Sequence, residues 1–227
     1  MKIRLVLSIA VIASCLNLKV ANAQEQQEFN STNIMPVLNH SYTNVEGSPF
    51  LTNQWAKGTV KMANGHVYKD MQLKYEQCSD AMFFRKTNDE DLFAFSEQIS
   101  EVKMDYIQNN IPYQKLYRTG YTITGSTEKS FFEVLSDGRV QLLKKDNKII
   151  TESKEYNSST INKKFEPVTK YYIVIAGNVK PFKKDKKFIL ANLSDKQTQI
   201  ENYIKTNDLD LKNDADLAML FNYYNSI

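Results

Sequence analysis

The chain is predicted to be α+β and mainly β: antiparallel hairpins and a meander forming a sheet, a sandwich or a partly open barrel, followed by a small C-terminal helical cluster. Three observations predict it. Apolar and polar residues alternate in short runs between residues 57 and 182, turn residues punctuate those runs, and beyond residue 184 the apolar period lengthens from two to three or four. The stretch 57–86, KGTVKMANGHVYKDMQLKYEQCSDAMFFRK, starts the sheet.

In that stretch Asn64-Gly65 suits a type I′ turn, because both residues tolerate positive φ, and apolar alternation flanks it on both sides. After the turn Val67, Met71, Leu73 and Tyr75 share one face and His66, Tyr68, Asp70, Gln72 and Lys74 the other, with Lys69 a misfit on the apolar face. Cys78-Ser79-Asp80 is the next predicted turn. Short strands follow at Ala81-Met82-Phe83-Phe84 and Leu92-Phe93-Ala94-Phe95, joined by the acidic loop Asn88-Asp89-Glu90-Asp91.

Ahead of this sheet, residues 1–23 have a cationic start (Lys2, Arg4), an apolar run from Leu5 to Leu18 and small residues at Ala21 and Ala23, the pattern of a cleaved secretory signal. The run is too short for a membrane span to be the first reading, and no transmembrane helix is expected in the mature chain. Ile12-Ala13-Ser14-Cys15 resembles a lipobox, so lipidation of Cys15 is the alternative to cleavage after Ala23. Residues 24–46 are polar and read as a flexible leader. Residues 47–183 then form the β-rich domain, and residues 184–227 a helical cluster packed on or beside it.

Within the domain, Gly47-Ser48-Pro49-Phe50 has turn chemistry, and Trp55, the single Trp, reads as a lid on the core edge rather than a ligand platform. Ile99, Val102 and Met104 mark another strand, residues 111–118 are extended and residues 119–130 are rich in turns. Residues 131–135 and 139–143 make a second hairpin at Asp137-Gly138, and residues 171–175 and 179–182 a third at Ala176-Gly177-Asn178. Pro181 lacks an N–H, so the last strand is predicted at a sheet edge. The polar stretch 152–167 reads as a long loop. Phe188 to Leu193 suits a short helix, and Ser194-Asp195-Lys196-Gln197 is a capping box for a helix carrying Ile200, Tyr203 and Ile204. Asn213-Asp214-Ala215-Asp216 caps the last helix, with Leu217, Leu220, Phe221 and Tyr224 on one stripe.

Several of these stretches, with the Ala23-Gln24 junction, resemble a group of exported proteins from Bacteroidota. The shared stretches are the Phe131-Phe132-Glu133-Val134-Leu135 strand with its Asp-Gly turn, the Tyr171-Tyr172 hairpin with its Lys-rich exit, and the ending from Ile200-Glu201-Asn202-Tyr203-Ile204 to Tyr223-Tyr224-Asn225. Gly47-Ser48-Pro49-Phe50 and Tyr68-Lys69-Asp70 extend the similarity over residues 47–227. The resemblance implies an exported compartment, periplasm or outer membrane, and the extent of the domain. It implies no specific activity.

Chemistry is marked mainly by what is missing. The chain has no HExxH, CxxC, GxSxG, Walker loop or dinucleotide fingerprint, so no catalytic, cofactor-binding or metal-ligating residue is nominated. Two histidines and one mature thiol argue against a zinc site, and Cys78 lacks a base beside it. The acidic group Asp89, Glu90, Asp91 reads as a solvated loop rather than a calcium site. Cleavage after Ala23 removes three basic residues and leaves 26 basic against 26 acidic, which argues against a nucleic-acid protein. The distribution is uneven: residues 24–138 hold 10 basic and 15 acidic, residues 139–187 hold 13 and 5, and residues 188–227 hold 3 and 6.

Three function classes remain. The first is a non-catalytic accessory or interaction protein of the cell envelope, its partner another envelope protein. The second is an anion-binding module for lipid head groups or acidic glycans, using Lys183, Lys184, Lys186 and Lys187, which otherwise protect the edge strand from pairing with other chains. The third is a glycan hydrolase built on two distant carboxylates, which leave no spacing signature.

Overall fold

The computed structural model describes residues 34–37, 42–86, 91–154 and 161–227. The expected signal segment, Cys15, His40 and loop residues 88–90 lie outside the described residues. Within them the chain is α+β and mainly β, and the three β architectures left open by the sequence resolve to one large open sheet.

Its strands are β1 (Ile34–Pro36), β2 (Val45–Glu46), β3 (Ala56–Met62), β4 (Val67–Glu76), β5 (Ala81–Arg85) and β6 (Phe93–Phe95), then β7 (Ile99–Gln108), β8 (Ile111–Arg118), β9 (Phe132–Ser136), β10 (Val140–Lys154), β11 (Ile161–Ile175) and β12 (Asn178–Pro181). They run in the spatial order β1-β6-β5-β4-β3-β7-β8-β9-β10-β11-β12, antiparallel throughout, with β2 adding a parallel pairing to β11. β12 ends the order, which is where Pro181 requires it. Both β1 and β2 lie inside the stretch read as a leader, a stretch too polar to announce strands.

The hairpin of β3 and β4 forms, with a different turn. Gly65 N–H donates to Met62 C=O at 3.0 Å and only Gly65 has positive φ, so the loop is a three-residue turn ending in a glycine bulge. The two-residue turn with positive φ at both positions occurs instead at Asn109-Asn110, between β7 and β8. Lys69 is explained by a second bulge. Between the pairs Gly58↔Met71 and Val60↔Tyr68 strand β4 carries one extra residue, and Asp70 has φ 55°. The face therefore switches, burying Tyr68 before the bulge and Leu73 and Tyr75 after it, while Lys69 stays exposed. Gly58 permits close packing here, since a Cβ would sit 2.4 Å from Lys103 O and 2.6 Å from Leu73 Cδ1.

The expected loop at 152–167 is mostly strand. β10 and β11 pair from Val140↔Ile175 to Lys154↔Ile161, and their distal parts run past the ends of β9 and β12 as a ribbon that β2 joins at Lys163 and Lys164. Exposed and half-buried residues are mixed along it, with Ile149, Ile150 and Ile161 exposed while Phe165 packs against Tyr42, so no period of two survives in the sequence.

The helices are α1 (Lys186–Asn192), α2 (Gln197–Thr206) and α3 (Asp214–Ser226). Asp185 caps α1 by accepting from Phe188 N–H, and Asn213 caps α3 as its sequence predicts. The capping box at Ser194 does not form. Residues Ser194–Lys196 tighten into a 3-10 turn, and α2 starts with no side-chain cap. Asp195 faces elsewhere, accepting from Tyr224 Oη at 2.8 Å and pairing with Arg139 at 3.4 Å.

One face of the sheet carries two cores. In the N-terminal half the sheet coils until Tyr75 packs against Tyr117 and Phe131, with ring centroids 5.2 and 5.6 Å apart, enclosing Leu73, Phe84, Val102 and Met104. In the C-terminal half Val140, Leu142 and Ile173 are covered by Ile189, Ile200, Leu217, Leu220 and Phe221 of the helices. The opposite face holds a smaller cluster, Phe132, Leu143, Tyr172 and Val174, capped by Tyr121 and Ile123.

Candidate functional site

The coiling brings residue types together that are distant in sequence. Tyr117, Glu133, Lys144 and Tyr171 are consecutive cross-strand partners on β8, β9, β10 and β11, so they form one row across the face between the two cores. Lys115 bridges Glu133 at 2.7 Å, and Lys144 reaches Asp146 at 3.1 Å and Asp214, the first residue of α3, at 3.0 Å. Lys184 and Tyr171 Oη also donate to Asp214, and the Lys184 ammonium sits 3.9 Å from the centre of the Tyr171 ring. Burial raises the Asp214 carboxyl, but the hydrogen bonds from Lys184, Lys144 and Tyr171 outweigh it and leave the pKa below the ordinary carboxylate value. Burial likewise lowers Lys144, and the Asp146 and Glu133 charges and the Asp214 hydrogen bond overcome it, so its pKa is raised.

Asp146 and Asp214 converge on Lys144, where a hydrolase reading asks for a carboxylate pair in a deep cleft. Their common neighbour is a lysine at bridging distance to both, and Asp214 is held ionised where a general acid needs a raised pKa. The row serves as a charged seam stitching α3 to the sheet.

The four nominated lysines do not all face solvent. Lys184 is turned inward to Asp214 and to Lys212 O, Lys186 lies 4.0 Å from Glu201, and Lys183 and Lys187 are exposed. Much of the basic segment is spent the same way. Arg139 reaches Asp195, Lys145 reaches Asp80 at 2.6 Å, and Lys148 donates to Ser48 O at 2.8 Å and Phe50 O at 2.6 Å. Burial lowers the Lys148 pKa. The basic middle and acidic flanks of the sequence are thus complementary partners in cross-links that hold the fold.

Trp55 is half-buried, with the Lys74 ammonium 5.0 Å and the Arg85 guanidinium 4.9 Å from its ring, so cations occupy the ring and it is no open stacking platform. Cys78 lies in the 77–80 turn at the wall of an open cavity of about 610 Å³, which Lys145 and Asp80 also line. Sequence reasoning did not single out Lys145 or Asp80, since their pairing spans 65 residues and has no local signature.

No protein family, curated protein or solved structure matches the chain. Among the described residues no helix is long and apolar enough to cross a membrane, and no group of three or more His, Cys, Asp or Glu is placed to hold a metal ion.

The remaining feature is the distribution of exposed apolar side chains. Of nine large exposed hydrophobics among the described residues, six lie on two ribbon ends: Ile107, Ile111 and Tyr113 on β7–β8, and Ile149, Ile150 and Ile161 on β10–β11. β7 loses its pairing to β3 after Asp105, and β8 meets β9 only at Tyr117 and Arg118, so the first ribbon also projects beyond its neighbours.

Proposed function

We propose that the chain is a non-catalytic accessory protein of the cell envelope that binds another envelope protein through its two β-ribbons. The observation that carries this reading is the concentration of exposed isoleucines on two projecting ribbon ends, where β7–β8 pairs only with itself and β10–β11 is joined only by the short β2 among the described residues. Apolar side chains left in water on a projecting ribbon add nothing to the core, whereas an apolar cluster of this kind is what a protein interface buries. Supporting it, the charged groups of the seam are consumed in structural pairs. The envelope compartment rests on the sequence of residues 1–23.

Photo-crosslinking tests it. A crosslinker placed at Ile107 and, separately, at Ile149 of the exported protein should give discrete adducts in native envelopes, and the double substitution Ile107→Asp, Ile111→Asp should remove those formed at Ile149 without changing the melting temperature. Adducts that are absent, or that persist in the double variant, would leave the ribbons without a binding role. An apolar interface also predicts that association survives added salt, whereas contact through Lys183 and Lys187 with lipid or glycan would be screened.

A further inference from the structure

We propose that the cavity formed by the 77–80 turn, the 125–130 loop and the outer face of β10 binds a small hydroxylated monoanion of the sugar-acid type. The cavity is of the size that takes a small molecule, about 610 Å³ and open to solvent. Its floor is a buried ion pair. Lys145 is 7% exposed, donating to Asp80 Oδ2 at 2.6 Å and to Phe131 O at 3.1 Å. Asp80 is itself held, its Oδ1 accepting from Tyr75 Oη at 2.7 Å and from Phe131 N at 3.3 Å. The pair is thus fixed in place from several sides, as a ligand site requires.

What the wall leaves uncommitted is a set of donors. An ammonium has three N–H groups; two of Lys145's are used by protein acceptors among the described residues, and the ammonium also lies 4.8 Å from the centre of the Phe132 ring. Thr127 Oγ1 accepts from Lys129 N–H and Ser130 Oγ accepts from Thr127 N–H, so both hydroxyl protons remain to be donated. Asn147 lines the same wall, and its amide has no partner among the described residues. A cavity with spare donors recognises oxygen acceptors. Its charged wall residues are Lys145, Lys129 and Asp80, an excess of one positive charge. The complement is a single negative charge. More donors surround the cavity than one carboxylate group takes, and Asp80 Oδ2 accepts from Lys145 alone, leaving it free to receive a ligand hydroxyl. A carboxylate carried on a polyol satisfies both features.

Isothermal titration of the full chain with D-glucuronate, D-glucose and acetate tests this. Glucuronate is expected to bind at least tenfold more tightly than either of the others, because glucose lacks the charge and acetate the hydroxyls. Equal binding of glucose and glucuronate, or no heat at millimolar glucuronate, overturns the proposal. Lys145→Met should abolish binding, but it also strands Asp80. Thr127→Trp is therefore the second variant: the position is exposed, so the fold should keep its melting temperature while the bulky ring fills the mouth. Binding that survives Thr127→Trp, or that is lost in the control Lys183→Glu, Lys187→Glu, places the ligand elsewhere and equally overturns the assignment.

Discussion

The N-terminal half of the sheet hides its apolar face by coiling on itself, whereas the C-terminal half hides the same face under three helices. The difference follows from side chains. Around β3, β4 and β7 the enclosed residues include Tyr75, Tyr106, Tyr117, Phe84 and Phe131, and such long rings reach across a coiled sheet and meet. Under the helices the sheet contributes shorter Val140, Leu142 and Ile173, and the helices bring Leu217, Leu220 and Phe221 down to them. Between the two solutions lies the row Glu133 and Lys144, where neither cover is apolar and charges pair instead. One open sheet can therefore carry two cores if the seam between them is satisfied electrostatically.

Removing the helices would break this comparison most severely. Deleting residues 194–227 uncovers the sheet face and strips the seam of Asp214, so aggregation and loss of cooperative unfolding are expected in size-exclusion and melting experiments. A soluble truncated chain with an unchanged melt would instead make the two halves independent units.

Gly58→Ala attacks the coiled half alone. The new Cβ meets backbone at Lys103, which cannot yield as a side chain tip does, and a loss of about 3 kcal/mol in urea unfolding is expected. Asn225→Ala attacks the helical half. Asn225 accepts from Val140 N–H at 3.0 Å and donates to Val140 O at 2.8 Å, clamping α3 to the start of β10, and its loss should cost about 2 kcal/mol at unchanged m-value.

A pH dependence sharpens the role of the seam and is the smallest effect expected. The folded-state pKa of Asp214 lies below its unfolded value, so its contribution is complete above the ordinary carboxylate value of about 3.9 and is lost as pH falls through the depressed one. The stability difference between the native chain and Asp214→Asn should be present near neutral pH and vanish in acid. Lys144 has a raised folded pKa, so its contribution holds below the ordinary lysine value and fades only as pH rises through the raised one. A difference constant across the acid range would assign Asp214 a role other than ion pairing.

By itself the sequence determined the elements whose residues meet different solvents on their two sides. The β3–β4, β9–β10 and β11–β12 hairpins, the edge position of Pro181 and the stripes of α2 and α3 all show a period because one face is buried and the other wet. The N-cap at Asn213 was equally legible, since its partners lie within three residues. Only the tertiary structure decided the rest. The distal strands of β10 and β11 mix exposed isoleucines with the half-buried Phe165 and so carry no period, and β1 and β2 are strands because an existing edge offers them partners. The bulge at Asp70 turned Lys69 from a misfit into an exposed residue, and the capping box at Ser194 gave way to a 3-10 turn whose Asp195 is held by Tyr224 and Arg139. Whether a lysine such as Lys184 faces solvent or Asp214 depends on a carboxylate thirty residues away, and chain connectivity carries no local trace of a contact made at that distance.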